Sequence, residues 1–163
     1  SAHKRGWDDK WEYYSDWAAK GQAYKDELLR LVDEDTNAFN KIMDALGLPK
    51  STEAEKMERN SAMLEATKGA TMVPYSVMEA SYNSMEVMLE MAKTGLPASI
   101  SDAGVGAMCA RTALRGAHLN VRINVMDMDA PEFVSDILAK AAALDEKATK
   151  LEAEILNLVD KGL

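Results

Sequence analysis

Apolar residues recur at intervals of three and four along most of the chain, and they never gather into the alternating runs that a half-buried strand requires. This pattern predicts helices throughout. The first helix is expected from Trp7 to about Leu46. It should end at Gly47 and Pro49, because glycine suits a left-handed C-cap and proline cannot continue the helical hydrogen bonds.

The middle of the chain predicts two further helices separated by a proline. Thr52 and Glu55 have the spacing of a capping box, so a second helix should begin near residue 52. Pro74 lacks the backbone N–H that a helix needs, and the second helix should stop or kink there. A third helix, with methionines along its apolar face, is expected from Pro74 to Lys93.

Two more helices complete the pattern. Ser101 and Asp102 are both natural N-caps for a fourth helix, whose first half is rich in glycine and alanine. Such small residues favour close approach of another helix, a subunit or a ligand. Asp129 with Glu132 resembles another capping box, and Pro131 fits the first turn of a last helix that reaches Val159.

Length and composition agree with a single all-α domain, a bundle of about five helices over residues 1–163. The formal net charge of −8 argues against a nucleic-acid partner, which needs clustered Lys and Arg. Cys109 has no second cysteine to pair with and is expected to be a small buried apolar residue. Without an apolar run long enough for a membrane span, a cytoplasmic location is expected.

A carboxylate inside the first predicted helix is the first candidate for chemistry. Asp35 falls in the middle of the apolar stripe between Leu28 and Ile42, so it is expected to face the interior. An unpaired buried charge is costly, so such a residue is usually paired, hydrogen-bonded or retained for function. Asp33 and Glu34 fall at the rim of the stripe, where a solvated surface is the simpler interpretation.

Three further polar residues share helical faces with apolar neighbours. Glu65 lies among small residues on the inner side of the second helix, although its flexible side chain could equally reach solvent. Asn120 and Asn124 lie four residues apart in the fourth helix, and their amides need backbone, water or ligand partners. No metal is expected, because these carboxylates lack histidine or cysteine companions at ligand spacing.

Four sequence motifs resemble those of the cyclodeaminase family, and they occur in the same order as in that family. These folate enzymes occur as the C-terminal domain of formiminotransferase-cyclodeaminase and as separate methenyltetrahydrofolate cyclohydrolases. The matching segments are LVDEDTNAFNKIMDALGLPKSTEAEK at 31–56, LEATKGATMVPYSVME at 64–79, SISDAGVGA at 99–107 and GAHLNVRIN at 116–124. The resemblance therefore covers essentially the whole chain.

The resemblance implies an all-α homodimer or higher homo-oligomer with a folate site near the subunit contact. It implies cyclisation of 5-formiminotetrahydrofolate to 5,10-methenyltetrahydrofolate, with loss of ammonia, as in histidine degradation. Asp35, or its neighbour Asp33, is the expected proton donor. The expected folate-binding residues are Glu65, Ser101, Asp102, Asn120 and Asn124, with Ser101 chiefly shaping its turn.

The sequence departs from the family pattern in one respect, and three hypotheses about its function remain. Family members open with a Pro-Gly-Gly-Gly-Ser helix that this sequence does not contain, so the chain is expected to be a fragment of a longer reading frame or a shortened member. Cyclodeaminase is the first hypothesis, and cyclohydrolase, which opens the same product, is the second. The third is a non-catalytic helical module that dimerises or packs against a formiminotransferase domain.

Overall fold

The computed structural model describes residues 5–6 and 8–163, and within them it contains four long α-helices. They are α1 (Trp11–Leu46), α2 (Glu53–Thr94), α3 (Ile100–Asn124) and α4 (Pro131–Gly162), with short 3-10 turns at Asp8–Lys10 and Pro97–Ser99. The all-α prediction is confirmed, and the helix count is four where the pattern predicted five. Trp7, the expected first residue of the first helix, lies outside the described residues.

The long helix α2 is the central element, and α1 packs on it separately from α3 and α4. Val87 of α2 lies 3.7 Å from the point where a Cβ would stand on Gly21 of α1. On α3, the Met88 side chain comes within 3.1 Å of the same point on Gly106. Further along, Arg59 of α2 donates to the Leu46 carbonyl of α1, and Asn124 of α3 donates to the Ala70 carbonyl of α2. Both α1 and α3 therefore run antiparallel to α2 and lie level with each other along it.

Pro74 lies inside the continuous helix α2, so the prediction that the second helix stops there and a third begins is wrong. A proline inside a helix leaves the carbonyl four residues earlier without its N–H donor. That carbonyl belongs to Ala70, and the side-chain amide Nδ2 of Asn124 donates to it at 3.1 Å. A side chain of α3 thus replaces the missing hydrogen bond, which the one-dimensional pattern could not show.

The helix caps follow the sequence prediction only in part. Thr52 and Glu55 form the predicted capping box of α2, with Thr52 Oγ1 accepting from the Glu55 backbone N–H at 3.2 Å. Pro131 opens α4 as predicted, but Ala130 holds its N-cap, so the Asp129 capping box is wrong. Gly47 at the C-cap of α1 is right-handed, with φ −74°, so its predicted left-handed conformation is also wrong.

The core lies between α2, α3 and α4. Met78 and Met85 are fully buried, which confirms the methionine stripe as core packing. Gly104 is packed against Val159 of α4 and Gly106 against Met88 of α2, as expected for small residues at close helix contacts. Cys109 is exposed, so its predicted burial is wrong. None of the helices in the described ranges is long and apolar enough to cross a membrane.

Candidate functional site

The structure brings Asp35 and Asn120 together in one groove. The groove has a volume of about 480 Å³ and lies between α1 and α3, with Pro74 and Val77 of α2 beneath it. Its other lining residues are Leu28, Leu31, Val32, Thr36, Ala113, Gly116 and Ala117. A carboxylate and an amide therefore project into an otherwise apolar cleft, which is the usual composition of a small-ligand site.

Asp35 is exposed, so the prediction that it faces the interior is wrong for the described chain. The buried stripe of α1 consists of Leu31, Ala38 and Ala45, which face α2. Val32 and Phe39, on the other side of Asp35, are 63% and 59% exposed. The apolar arc is wider than one neighbouring helix can cover, so Asp35 lies at the boundary between buried and open surface.

Glu65 lies in a larger groove between α1 and α2, with a volume of about 730 Å³. Its carboxylate is exposed and pairs with Lys68 of the next turn at 2.8 Å, which agrees with the solvent-reaching alternative. Small residues form the floor of this groove, including Gly69, where nothing lies within 4 Å of a Cβ position. Lys41 adds a cation to the wall, and the sequence pattern did not single it out.

Asn124 lies beside the Glu65 groove because it donates to the Ala70 carbonyl, and Ala70 lines that groove. The amide also borders a third groove of about 660 Å³ that contains Asp127 and Asp129. With one Nδ2 hydrogen engaged, Asn124 can still offer its carbonyl oxygen and its second N–H to a ligand. Its first role is structural, because it satisfies a carbonyl that Pro74 leaves free.

The Ser-Asp turn lies far from these grooves. Ser99 occupies the N-cap position of α3 and makes no side-chain capping bond, so the N-cap role predicted for Ser101 or Asp102 is wrong. Ser101 and Asp102 are exposed in the first helical turn, and Asp102 lines a separate groove of about 260 Å³. Eighteen residues of helix separate Asp102 from Asn120, which corresponds to roughly 27 Å.

Asp33, the alternative to Asp35, is exposed on α1 one residue beyond Val32. Successive helical residues are rotated by about 100°, so Asp33 and Asp35 lie on opposite borders of the exposed apolar surface. Only Asp35 of the two lines the groove that contains Asn120. The geometry therefore favours Asp35 as the carboxylate available to a ligand there.

A charged cluster between α3 and α4 was not predicted from the sequence. Asp145 accepts from Arg115 at 2.6 Å and pairs with Arg111 at 2.7 Å, while His118 Nδ1 lies 3.4 Å from its carboxylate. Partial burial opposes ionisation, but the Arg115 hydrogen bond and the Arg111 charge outweigh it, so the pKa of Asp145 is lowered. The sequence shows that Arg111, Arg115 and His118 share a helical face. It does not show that Asp145, 30 residues beyond Arg115, is their partner.

Residues 5–6 and 8–163 contain no group of three or more His, Cys, Asp or Glu side chains arranged to hold a metal ion. The polar residues that line the grooves are carboxylates, amides, hydroxyl groups and Lys41, distributed around apolar walls. Such groups can hydrogen-bond a polar heteroaromatic ligand. The chain is thus a helical bundle with several open grooves along α2 that a small ligand could enter.

The chain belongs to the formiminotransferase-cyclodeaminase family, whose model matches residues 1–143. It is 35% identical to the formimidoyltransferase-cyclodeaminase of Gallus gallus over 83% of this chain and 25% of that protein. It is 34% identical to the methenyltetrahydrofolate cyclohydrolase of Methylorubrum extorquens over 78% of this chain and 65% of that protein. The family is therefore one of folate one-carbon cyclodeaminases and cyclohydrolases.

The fold comparison agrees with the sequence comparisons. A crystal structure of formiminotetrahydrofolate cyclodeaminase from Thermotoga maritima superposes with a TM-score of 0.82 at 19% identity. The match covers 98% of this chain and 75% of the Thermotoga chain. This chain spans only a quarter of the Gallus protein and about two thirds of the Methylorubrum protein.

Proposed function

We propose that this chain is a formiminotetrahydrofolate cyclodeaminase, which converts 5-formiminotetrahydrofolate to 5,10-methenyltetrahydrofolate and ammonia in histidine degradation. The observation that supports this proposal most directly is the groove where Asp35 and Asn120 meet above an apolar floor. It offers a proton-carrying group and a hydrogen-bonding amide beside a surface suited to a flat ring.

The reaction needs two steps that side chains can assist. N10 of the folate attacks the formimino carbon, forming the new C–N bond and a tetrahedral centre. The N10 proton moves to the imino nitrogen, which becomes an amino group. A second proton, from an acidic side chain, then passes to this amino group, its bond to carbon breaks as the N5 lone pair forms the methenyl C=N bond, and ammonia leaves. Asp35 is proposed as the proton donor, because its carboxyl group lines the groove that also contains Asn120.

The remaining polar residues are proposed to orient the substrate. Asn120 shares the groove with Asp35, while Glu65 and Asn124 border the neighbouring grooves along α2. Asp102 is too far along α3 to reach the same ring within one chain, so its proposed role concerns a more distant part of the folate or another subunit. Ser101, beside it, is proposed to shape that turn, and no metal is proposed to take part.

The proposal treats residues 1–163 as one domain that works as a homodimer or higher homo-oligomer, with the folate derivative as its only small-molecule requirement. The relatives that carry a transferase in the same chain suggest a formiminotransferase domain as a further partner. Ammonia-lyase activity is proposed for the domain formed by residues 1–163.

Cyclohydrolase activity is the second candidate, and the similarity to the Methylorubrum protein favours it. Both reactions share the methenyl compound, so the same groove could serve water attack on the methenyl carbon that bridges N5 and N10. The half-exposed Trp11 near the start of α1 instead favours a third candidate, a helical module that packs against another domain.

A spectrophotometric assay of methenyltetrahydrofolate separates the three candidates. Formation from formiminotetrahydrofolate that is lost in Asp35→Asn, but retained in the exposed-site control Asp136→Asn, would support the cyclodeaminase and its donor. Loss of methenyltetrahydrofolate alone would support the cyclohydrolase. No reaction in either direction would contradict both enzymes and leave the packing module.

A further inference from the structure

A fifth groove adjoins the one that contains Asp35. It has a volume of about 660 Å³ and lies between the C-terminal end of α3 and the start of α4, so we call it the α3–α4 groove. Asn120 lines both grooves, which therefore meet at this residue. A ligand held beside Asp35 can thus extend from one groove into the other.

Apolar side chains form most of the α3–α4 groove. Three of them lie on or just after α3 and two on α4: Leu119, Ile123, Met126, Val134 and Leu138. Leu119, Ile123 and Met126 are each more than half exposed. Open apolar walls of this kind are the usual surroundings of an aromatic ring in a ligand site.

The charge of the α3–α4 groove differs from that of the other grooves. Among the residues that line it, Arg122 is the one with a charged side chain. Each of the four grooves described above contains at least one carboxylate. In a chain with a formal net charge of −8, the α3–α4 groove is therefore a local exception that favours an anion.

Arg122 is exposed, and it has no ion-pair partner within residues 5–6 and 8–163. The two other arginines of α3, Arg111 and Arg115, both pair with Asp145 of α4. The guanidinium group of Arg122 is thus the one on α3 that is available to a ligand. A guanidinium group binds a carboxylate through two parallel hydrogen bonds, which gives it specificity for that group.

The positions of Asn120 and Arg122 set the length of the ligand. Successive helical residues are rotated by about 100°, so these two residues lie on nearly opposite sides of α3, with Leu119 and Ile123 on the exposed surface between them. The separation is about one helix diameter, roughly 10–12 Å. In a folate, a benzoyl group and a glutamate follow N10 and together span a similar length.

We propose that the α3–α4 groove binds the benzoylglutamate end of the folate substrate, and that Arg122 binds a carboxylate of its glutamate. The benzoyl ring lies against Leu119 and Ile123, while the reacting ring lies beside Asp35. Asn120 stands where the two parts of the substrate join. This inference rests on the proposed function and extends it from the reacting ring to the other end of the substrate.

The glutamate takes no part in the bonds that form and break at N5, N10 and the formimino carbon. Its contact with Arg122 is therefore equally strong in the bound substrate and in the transition state. Such uniform binding lowers KM and leaves kcat unchanged. Arg122 is thus a substrate-binding residue that acts on affinity alone.

Calorimetric titration with two ligands tests this subsite. The first is 5-formyltetrahydrofolate, an unreactive analogue of the formimino substrate, and the second is its diamide, in which both glutamate carboxylates are carboxamides. The whole chain should bind the charged ligand roughly tenfold more tightly than the diamide. Arg122→Ala should abolish this preference by weakening only the charged ligand, and Arg122→Lys should keep part of it.

A matched control separates the subsite from the overall charge of the protein. Arg30→Ala removes the same charge from an exposed arginine of α1 that pairs with Glu27 and Glu34. The preference for the charged ligand should be unchanged in this variant. Equal loss of the preference in Arg30→Ala, or a preference that persists in Arg122→Ala, would overturn the assignment of Arg122.

Steady-state kinetics with 5-formiminotetrahydrofolate give a second readout. Arg122→Ala should raise KM by roughly tenfold and leave kcat unchanged. Its thermal midpoint without ligand should equal that of the wild-type chain, because Arg122 is exposed and unpaired within the described ranges. A fall in kcat with KM unchanged, or a lowered midpoint that accounts for the lost affinity, would contradict the proposed role.

Failure of this subsite and failure of the proposed function give different results. A wild-type chain that forms methenyltetrahydrofolate but binds the charged ligand and its diamide equally would overturn the subsite and leave the function standing. A wild-type chain that binds neither ligand and converts no substrate would overturn both.

Discussion

At the scale of single residues, Asn124 has a role that follows from a proline 50 positions earlier. Pro74 cannot donate to the Ala70 carbonyl, and the side chain of Asn124 does so instead. A buried carbonyl without a donor is destabilising, so this hydrogen bond allows α2 to continue through its proline. The same contact ties α3 to α2 beside the grooves that contain Asp35 and Glu65.

We expect Asn124→Ala to lower the free energy of unfolding by about 2 kcal/mol, because it leaves the Ala70 carbonyl without a donor. In a Pro74→Ala background the backbone N–H at position 74 can serve that carbonyl, so the cost of Asn124→Ala should fall. Urea denaturation of the four chains forms the double-mutant cycle. Equal costs of Asn124→Ala in both backgrounds would contradict this role.

Asp145 links three basic residues of α3 to α4, and its lowered pKa makes the link dependent on pH. A carboxyl group with a lowered pKa in the folded state contributes stability above its unfolded pKa, near 4, and loses it as the pH falls through the folded value. Asp145→Asn should therefore cost about 2 kcal/mol at neutral pH and progressively less in acid.

Thermal unfolding across a pH series would measure this dependence. Asp136→Asn is a suitable control, since its pair with Lys140 is exposed and should contribute only about 0.5 kcal/mol. A cost for Asp145→Asn that stayed constant down to strongly acidic pH would show that its charge is not responsible.

At the scale of helices, the caps separate local signals from tertiary ones. The Thr52 and Glu55 box forms as the sequence predicts because both partners lie within four residues. The start of α3 differs, since it begins at Ile100 after a 3-10 turn that Pro97 opens, and Ser101 falls inside the first turn. A single serine or aspartate therefore predicts the start of a helix less well than the two reciprocal residues of a capping box do.

Thr52→Ala should destabilise the chain by about 1 kcal/mol, because it removes the acceptor for the Glu55 N–H. Ser101→Ala should change stability by less than about 0.5 kcal/mol, since surface substitutions away from caps have small effects. Chemical denaturation of both variants compares them directly. A loss of equal size in Ser101→Ala would show that Ser101 caps α3 after all.

At the scale of the whole molecule, α2 organises two different surfaces. The side shared with α3 and α4 forms the core, and the side shared with α1 leaves the grooves open along the chain. A ligand bound in those grooves contacts only the folded state and therefore stabilises it.

If the proposed folate site is correct, 5,10-methenyltetrahydrofolate at about 100 times its dissociation constant should stabilise the fold by about 2.7 kcal/mol. Thermal unfolding with and without ligand would show this as a higher midpoint. Asp35→Asn and Asn120→Ala should reduce the shift, whereas Asp136→Asn should not. An unchanged midpoint at saturating ligand would contradict folate binding by this chain.

The sequence by itself determined the helical class, the end of α1 at Leu46, the capping box of α2, the methionine core and the family. Each depends on residues within a few turns of one another, where helical periodicity and capping chemistry act directly. The family motifs were likewise readable in order along the chain, from Leu31 to Asn124.

Only the tertiary structure decided how these helices share their apolar surfaces. Continuation of α2 through Pro74 depends on Asn124, which is distant in sequence, and the exposure of Asp35 depends on the number of helices that cover α1. Periodicity shows which residues share a face, but the width of that face can exceed what one neighbour covers. Burial is therefore a property of the packed helices, and the sequence pattern of one helix cannot establish it.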